Sequence, residues 1–321
     1  MKRELTLSQA IEAYSLHQAA RGDSETHRKE CRRTLGAFVS CCGDLPAAGV
    51  RPDELRVFMN ELRSRPGLGG RERLSDLTLA AYHRVLAAFF RFLETEGHVE
   101  ASPMRAVPRP KTRLQLIRPF SEEQLRRLIA QPDPASFIGL RDRTLMVFLA
   151  DTGCRISECL GITYTDLDLD ARTVRVLGKG ARERMVPFGE RTRQWLEAYL
   201  ARRRESELSD RIFVNEFGEP LTRGTVARRF AGYGRQAGIR GVRVSPHTFR
   251  HTFAVQWLLG SGDYKGDALS LQRILGHSTP AMTQRYVHLT SGDLGRLHAR
   301  LSPADKLSEA PPQVGRRRRL R

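Results

Sequence analysis

From about Leu5 to Glu100, apolar residues recur at helical spacing between Gly and Pro breaks, most clearly at Leu79, Tyr82, Leu86, Phe89, Phe90 and Leu93. Side chains three and four apart share one helix face, and such faces must be covered, so this region predicts a small helical domain with its own core. The pattern then stops. Ala101-Ser102-Pro103 and Val107-Pro108-Arg109-Pro110-Lys111 offer prolines that deny both helix and ladder while the basic side chains stay solvated, which predicts a linker. Ser121 before Glu122 and Glu123 is a helix start, and Leu145 to Ala150 reads as a buried helical segment. The period then changes from helical to alternating. Thr173-Val174-Arg175-Val176 and Arg184-Met185-Val186-Pro187 flank Gly178-Lys179-Gly180, which predicts a β-hairpin with a Gly-containing loop. Helices resume near Arg191 and continue to Leu301. The expected chain is therefore mainly α with a small antiparallel β-hairpin or sheet: a helical domain over 1–106, a basic Pro-rich linker over 107–118, an α+β domain over 119–301 and a polar Arg-rich tail over 302–321.

At 321 residues with 40% hydrophobic content, the chain is long enough for two cores of ordinary size. No stretch approaches the roughly 18 consecutive apolar residues of a membrane span, and Met1-Lys2-Arg3-Glu4-Leu5 lacks the apolar run of a signal peptide. A cytoplasmic location without a membrane partner is expected. The net charge of +18 changes the picture more, because such a surface repels itself unless it meets an anion. Nucleic acid is the leading partner, with the linker lying along it. Arginines, which hold phosphate oxygens through paired hydrogen bonds, are spread through the chain, with one dense run at Arg316–Arg319. The five cysteines (Cys31, Cys41, Cys42, Cys154, Cys159) contain no C-x-x-C pair, so they fit neither a disulfide framework nor a zinc ribbon and are expected to be reduced.

Four segments carry candidate chemistry. In Ser245-Pro246-His247-Thr248-Phe249-Arg250-His251, Ser and Pro start a helix whose apolar stripe is Phe249, Phe253 and Trp257. His247 and Arg250 lie in its first turns, where free N–H groups and the helix dipole favour a phosphate. His247 and His251 have the spacing of a zinc-protease helix, but Thr248 stands where the required Glu would be, so metal hydrolysis is rejected. In Asp151-Thr152-Gly153-Cys154-Arg155-Ile156-Ser157-Glu158, an Arg just past a Gly turn has Glu158 three residues on to orient it, although an ordinary intrahelical ion pair has the same form. Lys179 sits between glycines that let its loop approach a backbone closely, though a turn lysine is commonly just solvated. Leu275-Gly276-His277-Ser278 ends one helix, and the next carries Tyr286, nine residues after His277. Read alone, each of these has an ordinary structural explanation.

Together and in this order, Arg155, Lys179, His247-x-x-Arg250, Gly276-His277 and Tyr286 resemble the catalytic set of the tyrosine recombinase (phage integrase) family. The segments Thr152–Glu158, Gly178–Pro187, His247–His251, Leu275–Ser278 and Tyr286-Val287-His288 are similar to its bacterial Xer-like branch. The resemblance is strong after about Pro119 and stylistic before it. It implies a SAM-like core-binding domain ahead of a catalytic domain. It also implies a site-specific recombinase that cuts and rejoins double-stranded DNA through a 3′-phosphotyrosyl link as a homotetramer on synapsed sites. In that reading Tyr286 attacks, Arg155 and Arg250 hold the phosphoryl oxygens, and Lys179 protonates the leaving 5′-oxygen. His247 serves as base and phosphate ligand, His277 donates a hydrogen bond, and Glu158 supports Arg155. No cofactor, ATP or metal is implied, since the phosphotyrosyl bond keeps the ester's energy. A type IB topoisomerase or a catalytically silent DNA-binding protein on the same fold are the alternatives. The Xer-like wording and the presence of all six residues count against them. The stretch Gly260–Asp267 is longer than the family pattern suggests and predicts an enlarged surface loop.

Overall fold

The computed structural model describes residues 4–67, 72–112, 118–178, 182–203, 209–260, 266–276 and 279–287. Chain contacts divide it into two units, Met1–Gln115 and Leu116–Arg321.

In the first unit the helical pattern becomes α1 (Leu7–Ala20), α2 (Glu25–Cys42), α3 (Pro52–Ser64) and α4 (Asp76–Thr95). Each start is written locally: Thr6, Ser24 and Ser75 accept backbone N–H bonds from the first turns of α1, α2 and α4, and Pro52 opens α3. The α4 stripe faces inward as its spacing requires. Leu86, Phe89, Phe90 and Leu93 are fully buried, Leu79 nearly so, and Tyr82 packs at the edge. Phe90 meets Phe38 of α2, which in turn meets Phe58 of α3 edge-on at 5.3 Å between ring centres. Each buried large apolar side chain contributes about 1.5–3 kcal/mol. The 3₁₀ turn Pro103–Ala106 packs on α3 and α4, and Met104 and Val107 enter the same core. Thus Val107, the first residue of the expected linker, is buried, and its carbonyl lies 3.0 Å from His83 Nε2. An apolar side chain beside an open core packs even where prolines prevent a helix.

The second unit is built on α6 (Phe137–Thr152), which follows α5 (Glu122–Ala130) and is buried on nearly every side, against α8 (Glu190–Arg202) and α10 (Pro246–Leu259). The Arg141-Asp142 pair on α6 is fully buried and compensated: Asp142 accepts from Arg141, Arg229 and Tyr233. The alternating segments form the expected hairpin, β2 (Thr173–Leu177) and β3 (Glu183–Pro187), with Val174 opposite Val186. A two-residue strand, β1 (Leu167–Asp168), completes an antiparallel sheet in the order β1-β2-β3. The remaining described α-helices are α7 (Ile156–Cys159), α9 (Arg223–Gln236), α11 (Ala268–Leu275) and α12 (Pro280–Val287). The expected helix between Val287 and Leu301 and the tail lie outside the described residues, as does most of the loop after Gly260. Among the described residues no helix is long and apolar enough to cross a membrane. All five cysteines are free thiols, and Cys154 and Cys159 are fully buried.

Candidate active site

Two left-handed glycines create the frame of the site. Gly153 (φ 61°) ends α6 and Gly276 (φ 63°) ends α11, each turning the chain where a side chain would be strained. Helix ends leave carbonyls unpaired, and here arginines take them up. Arg250, in the second turn of α10, donates from Nη1 to Gly153 O and from Nη2 to Leu275 O, both at 2.8 Å. Arg184 of β3 donates from Nε to Ile274 O at 2.8 Å. Two of Arg250's five N–H donors are thus committed, which fixes the plane of its guanidinium at the meeting point of α6, α10 and α11. Arg250 is only 3% exposed.

Glu158 holds the next layer. Its carboxylate reaches back to the Arg155 backbone N–H (2.8 Å), accepts from Arg155 Nη1 (2.8 Å) and takes both terminal nitrogens of Arg184 (3.1 and 2.9 Å). Burial pushes this carboxyl up, but the hydrogen bonds and charge of Arg184, with those from Arg155, outweigh it and hold it below the usual carboxylate range. Arg155, at the start of α7, keeps about a third of its side chain exposed. Three guanidiniums therefore surround one carboxylate, and the excess is positive. Arg250 registers it: burial and then the charge of Arg155 pull its pKa down to about 10, with Glu158 opposing, still high enough to remain charged at neutral pH. An anion placed here would offset both effects, and guanidiniums hold the paired oxygens of a carboxylate or a phosphate.

His247 stands on the first turn of α10, after Ser245, whose hydroxyl caps Thr248 N, and Pro246. Desolvation of its ring, then the charges of Arg250 and Arg155, hold its pKa below the usual imidazole value and so favour the neutral ring. Its ring meets that of His251 edge-on at 4.7 Å. The hydroxyl of Tyr286, on α12, lies 2.6 Å from His251 Nδ1. Tyr286 is 4% exposed and packs among Phe253, Leu271 and Leu275.

Of the residues singled out in the sequence, Arg155, Glu158, His247, Arg250 and Tyr286 all belong to this second unit. A continuous set of contacts and charge interactions links them from Arg155 to Tyr286; Lys179 and His277 lie outside the described residues. Two residues were missed. Arg184 shares the inward face of β3 with buried Val186, and a charged residue at a core-facing position of an alternating strand was the available signal. His251 entered only as a rejected zinc ligand, yet its spacing from His247 was visible. Among the described residues no group of three or more metal-ligating side chains gathers.

The model of the phage integrase family matches residues 118–292. The tyrosine recombinase XerD of Pseudomonas aeruginosa is 37% identical over 222 residues, covering 68% of this chain and 73% of its own. XerC of Chlamydia caviae is 31% identical over 250 residues, 77% of this chain and 76% of its own. In fold, the chain is similar to one in the crystal structure of a lambda integrase tetramer bound to a Holliday junction, with a TM-score of 0.67 at 17% identity over 86% of this chain and 78% of that one. The chain belongs to the phage integrase family. Its activity is that of a tyrosine-type site-specific DNA recombinase.

Proposed function

We propose that the enzyme cuts and rejoins double-stranded DNA at a specific site with Tyr286 as nucleophile, leaving a 3′-phosphotyrosyl link and a free 5′-hydroxyl. The observation that carries this reading is the convergence of Arg155, His247, Arg250 and the Tyr286 hydroxyl around one electropositive site. Cleavage needs charge stabilisation on the non-bridging oxygens, a nucleophile in line and a proton for the departing oxygen. Arg155 and Arg250 supply the first. Their geometry is fixed before the reaction by Glu158 and by the two helix-end carbonyls, so little reorganisation is left for the transition state. His247, neutral and beside Arg250, supports the same phosphate. Lys179 protonates the leaving 5′-oxygen, and His277 donates a hydrogen bond to the transition state.

The partner is duplex DNA, and the working assembly is a homotetramer on two synapsed sites. The tetrameric lambda integrase on its junction and the +18 charge support this. Phosphate contacts supply affinity and a few base-edge contacts select the site. The link conserves the ester's energy, so rejoining to another 5′-hydroxyl needs no ATP. The direct test is Tyr286→Phe on a nicked site, resolved on a denaturing gel. DNA binding should persist with no covalent protein–DNA band. A persistent band in this variant would move the nucleophile to another residue.

A further inference from the structure

We propose that His251, not His247, takes the phenolic proton of Tyr286 during strand cleavage. The inference rests on Tyr286 being the nucleophile and concerns where its proton goes. A buried phenol cannot attack phosphorus while keeping its proton, nor pass that proton directly to bulk water. Tyr286 is 4% exposed and set among Phe253, Leu271 and Leu275, so a side-chain acceptor is needed. His251 Nδ1 is 2.6 Å from its hydroxyl, a hydrogen bond across the packed α10–α12 contact. With its own proton on Nε2, the neutral ring presents Nδ1 as an acceptor.

In the step, the Tyr286 O–H bond breaks and its proton moves to His251 Nδ1. The Tyr286 oxygen forms the bond to phosphorus, and the P–O5′ bond breaks, its oxygen taking a proton from a separate acid. On rejoining, His251 returns the proton to the departing phenolate. The neighbouring His247 fits this division of labour. It lies edge-on to His251 at 4.7 Å and is held towards its neutral form by desolvation and by the charges of Arg250 and Arg155, so the imidazolium forming on His251 meets no second charged imidazole. In this division His247 serves the phosphate and His251 the nucleophile, and the two stand one helical turn apart on α10.

The test separates a proton acceptor from a group that merely holds the phenol in place. His251→Ala removes both functions, whereas His251→Asn keeps an oxygen near the position of Nδ1 that accepts a hydrogen bond but does not take a proton at neutral pH. Adduct formation on a nicked site is followed in the full chain, with Tyr286 either natural or replaced by trifluorotyrosine, whose acidified phenol is ionised without a base. With natural tyrosine, both variants should be slower than the wild type by about 10²-fold or more. With trifluorotyrosine, both should come within a few-fold of otherwise wild-type enzyme carrying the same residue. Recovery by His251→Asn with natural tyrosine would reduce His251 to a positioning role, and failure of trifluorotyrosine to restore either variant would reduce it to packing; each overturns the proposal. The nucleophile assignment is judged independently, because only it is at stake if Tyr286→Phe still forms an adduct.

Discussion

At the scale of single residues the site depends on Glu158, whose carboxylate is 3% exposed and bonded to two guanidiniums. Removing one side of a buried ion pair leaves the other desolvated and uncompensated. Glu158→Gln should therefore destabilise the fold by about 3 kcal/mol, read from urea midpoints at constant m. The pH dependence has a definite sign. The folded carboxyl titrates below its unfolded value of about 4.3, so its stabilisation is complete above that value and is lost as pH falls through the folded pKa. Stability of the variant should fall less steeply on the acid side than that of the wild type, and equal acid limbs would show that Glu158 is not held ionised by its arginines. A second residue-scale prediction concerns Lys179. If it protonates the leaving oxygen, Lys179→Ala should regain nearly wild-type cleavage when the 5′-bridging oxygen is replaced by sulfur, because a thiolate leaves without a proton. Arg155→Ala and Arg250→Ala should stay slow on the same substrate, since their charge is still missing. Tyr286, proposed as nucleophile, and Arg155 and Arg250, proposed to hold the phosphate, stood out in the sequence by motif order alone. Arg184 and His251 could not be ranked that way: their importance lies in contacts from β3 to α7 and from α10 to α12, which local spacing does not report.

At the scale of elements the glycine that ends α6 sets both packing and chemistry. A Cβ on Gly153 would lie 2.4 Å from Phe253 Cδ1 and 2.8 Å from Leu275 Cδ2, in a left-handed conformation that L side chains avoid. Its carbonyl also anchors Arg250. Gly153→Ala should cost at least about 2 kcal/mol from strain and overpacking together, and should slow adduct formation by displacing Arg250. Gly22→Ala is the control: its φ is +75° but nothing lies within 4 Å of the added Cβ, so it should show the backbone cost of about 1–2 kcal/mol and unchanged cleavage per folded molecule. Equal cleavage by both variants would separate Gly153 from the site. The elements themselves were legible wherever one period dominated. The α4 stripe and the β2–β3 alternation were placed to within a residue or two, because burial of one face enforces the spacing. The two-residue β1 has no room for a period, and its pairing of Leu167 with Val174 is visible only once β2 exists. Burial of Val107 had no sequence signal for the reverse reason: the prolines around it constrain the backbone but say nothing of the core beneath its side chain.

At the scale of the whole molecule the charge decides how the chain meets its substrate. With 54 Lys and Arg against 36 Asp and Glu, an excess of 18 basic side chains has no acidic counterpart in the chain, and the surface ion pairs that do form are screened and weak. Binding to duplex DNA should therefore be driven largely by release of counterions, with the logarithm of affinity falling linearly against the logarithm of salt by about 0.9 per phosphate contacted. Six to ten such contacts would lower affinity by about 10³–10⁵ between 50 and 200 mM salt. The run Arg316–Arg319 offers a way to partition that slope. If the five arginines of 316–321 (Arg316–Arg319 and Arg321) contact phosphates without reading bases, deleting 316–321 should flatten the slope by as much as about 4 to 5 and weaken specific and nonspecific duplexes by the same factor. Cleavage of a nicked site at saturating protein should be unchanged, since every residue assigned to the chemistry lies before Val287. Equilibrium binding to a site-bearing and a scrambled duplex across a salt series gives both quantities at once. A loss confined to the site-bearing duplex would mean that the tail reads sequence, and an unchanged slope would mean that it does not touch DNA.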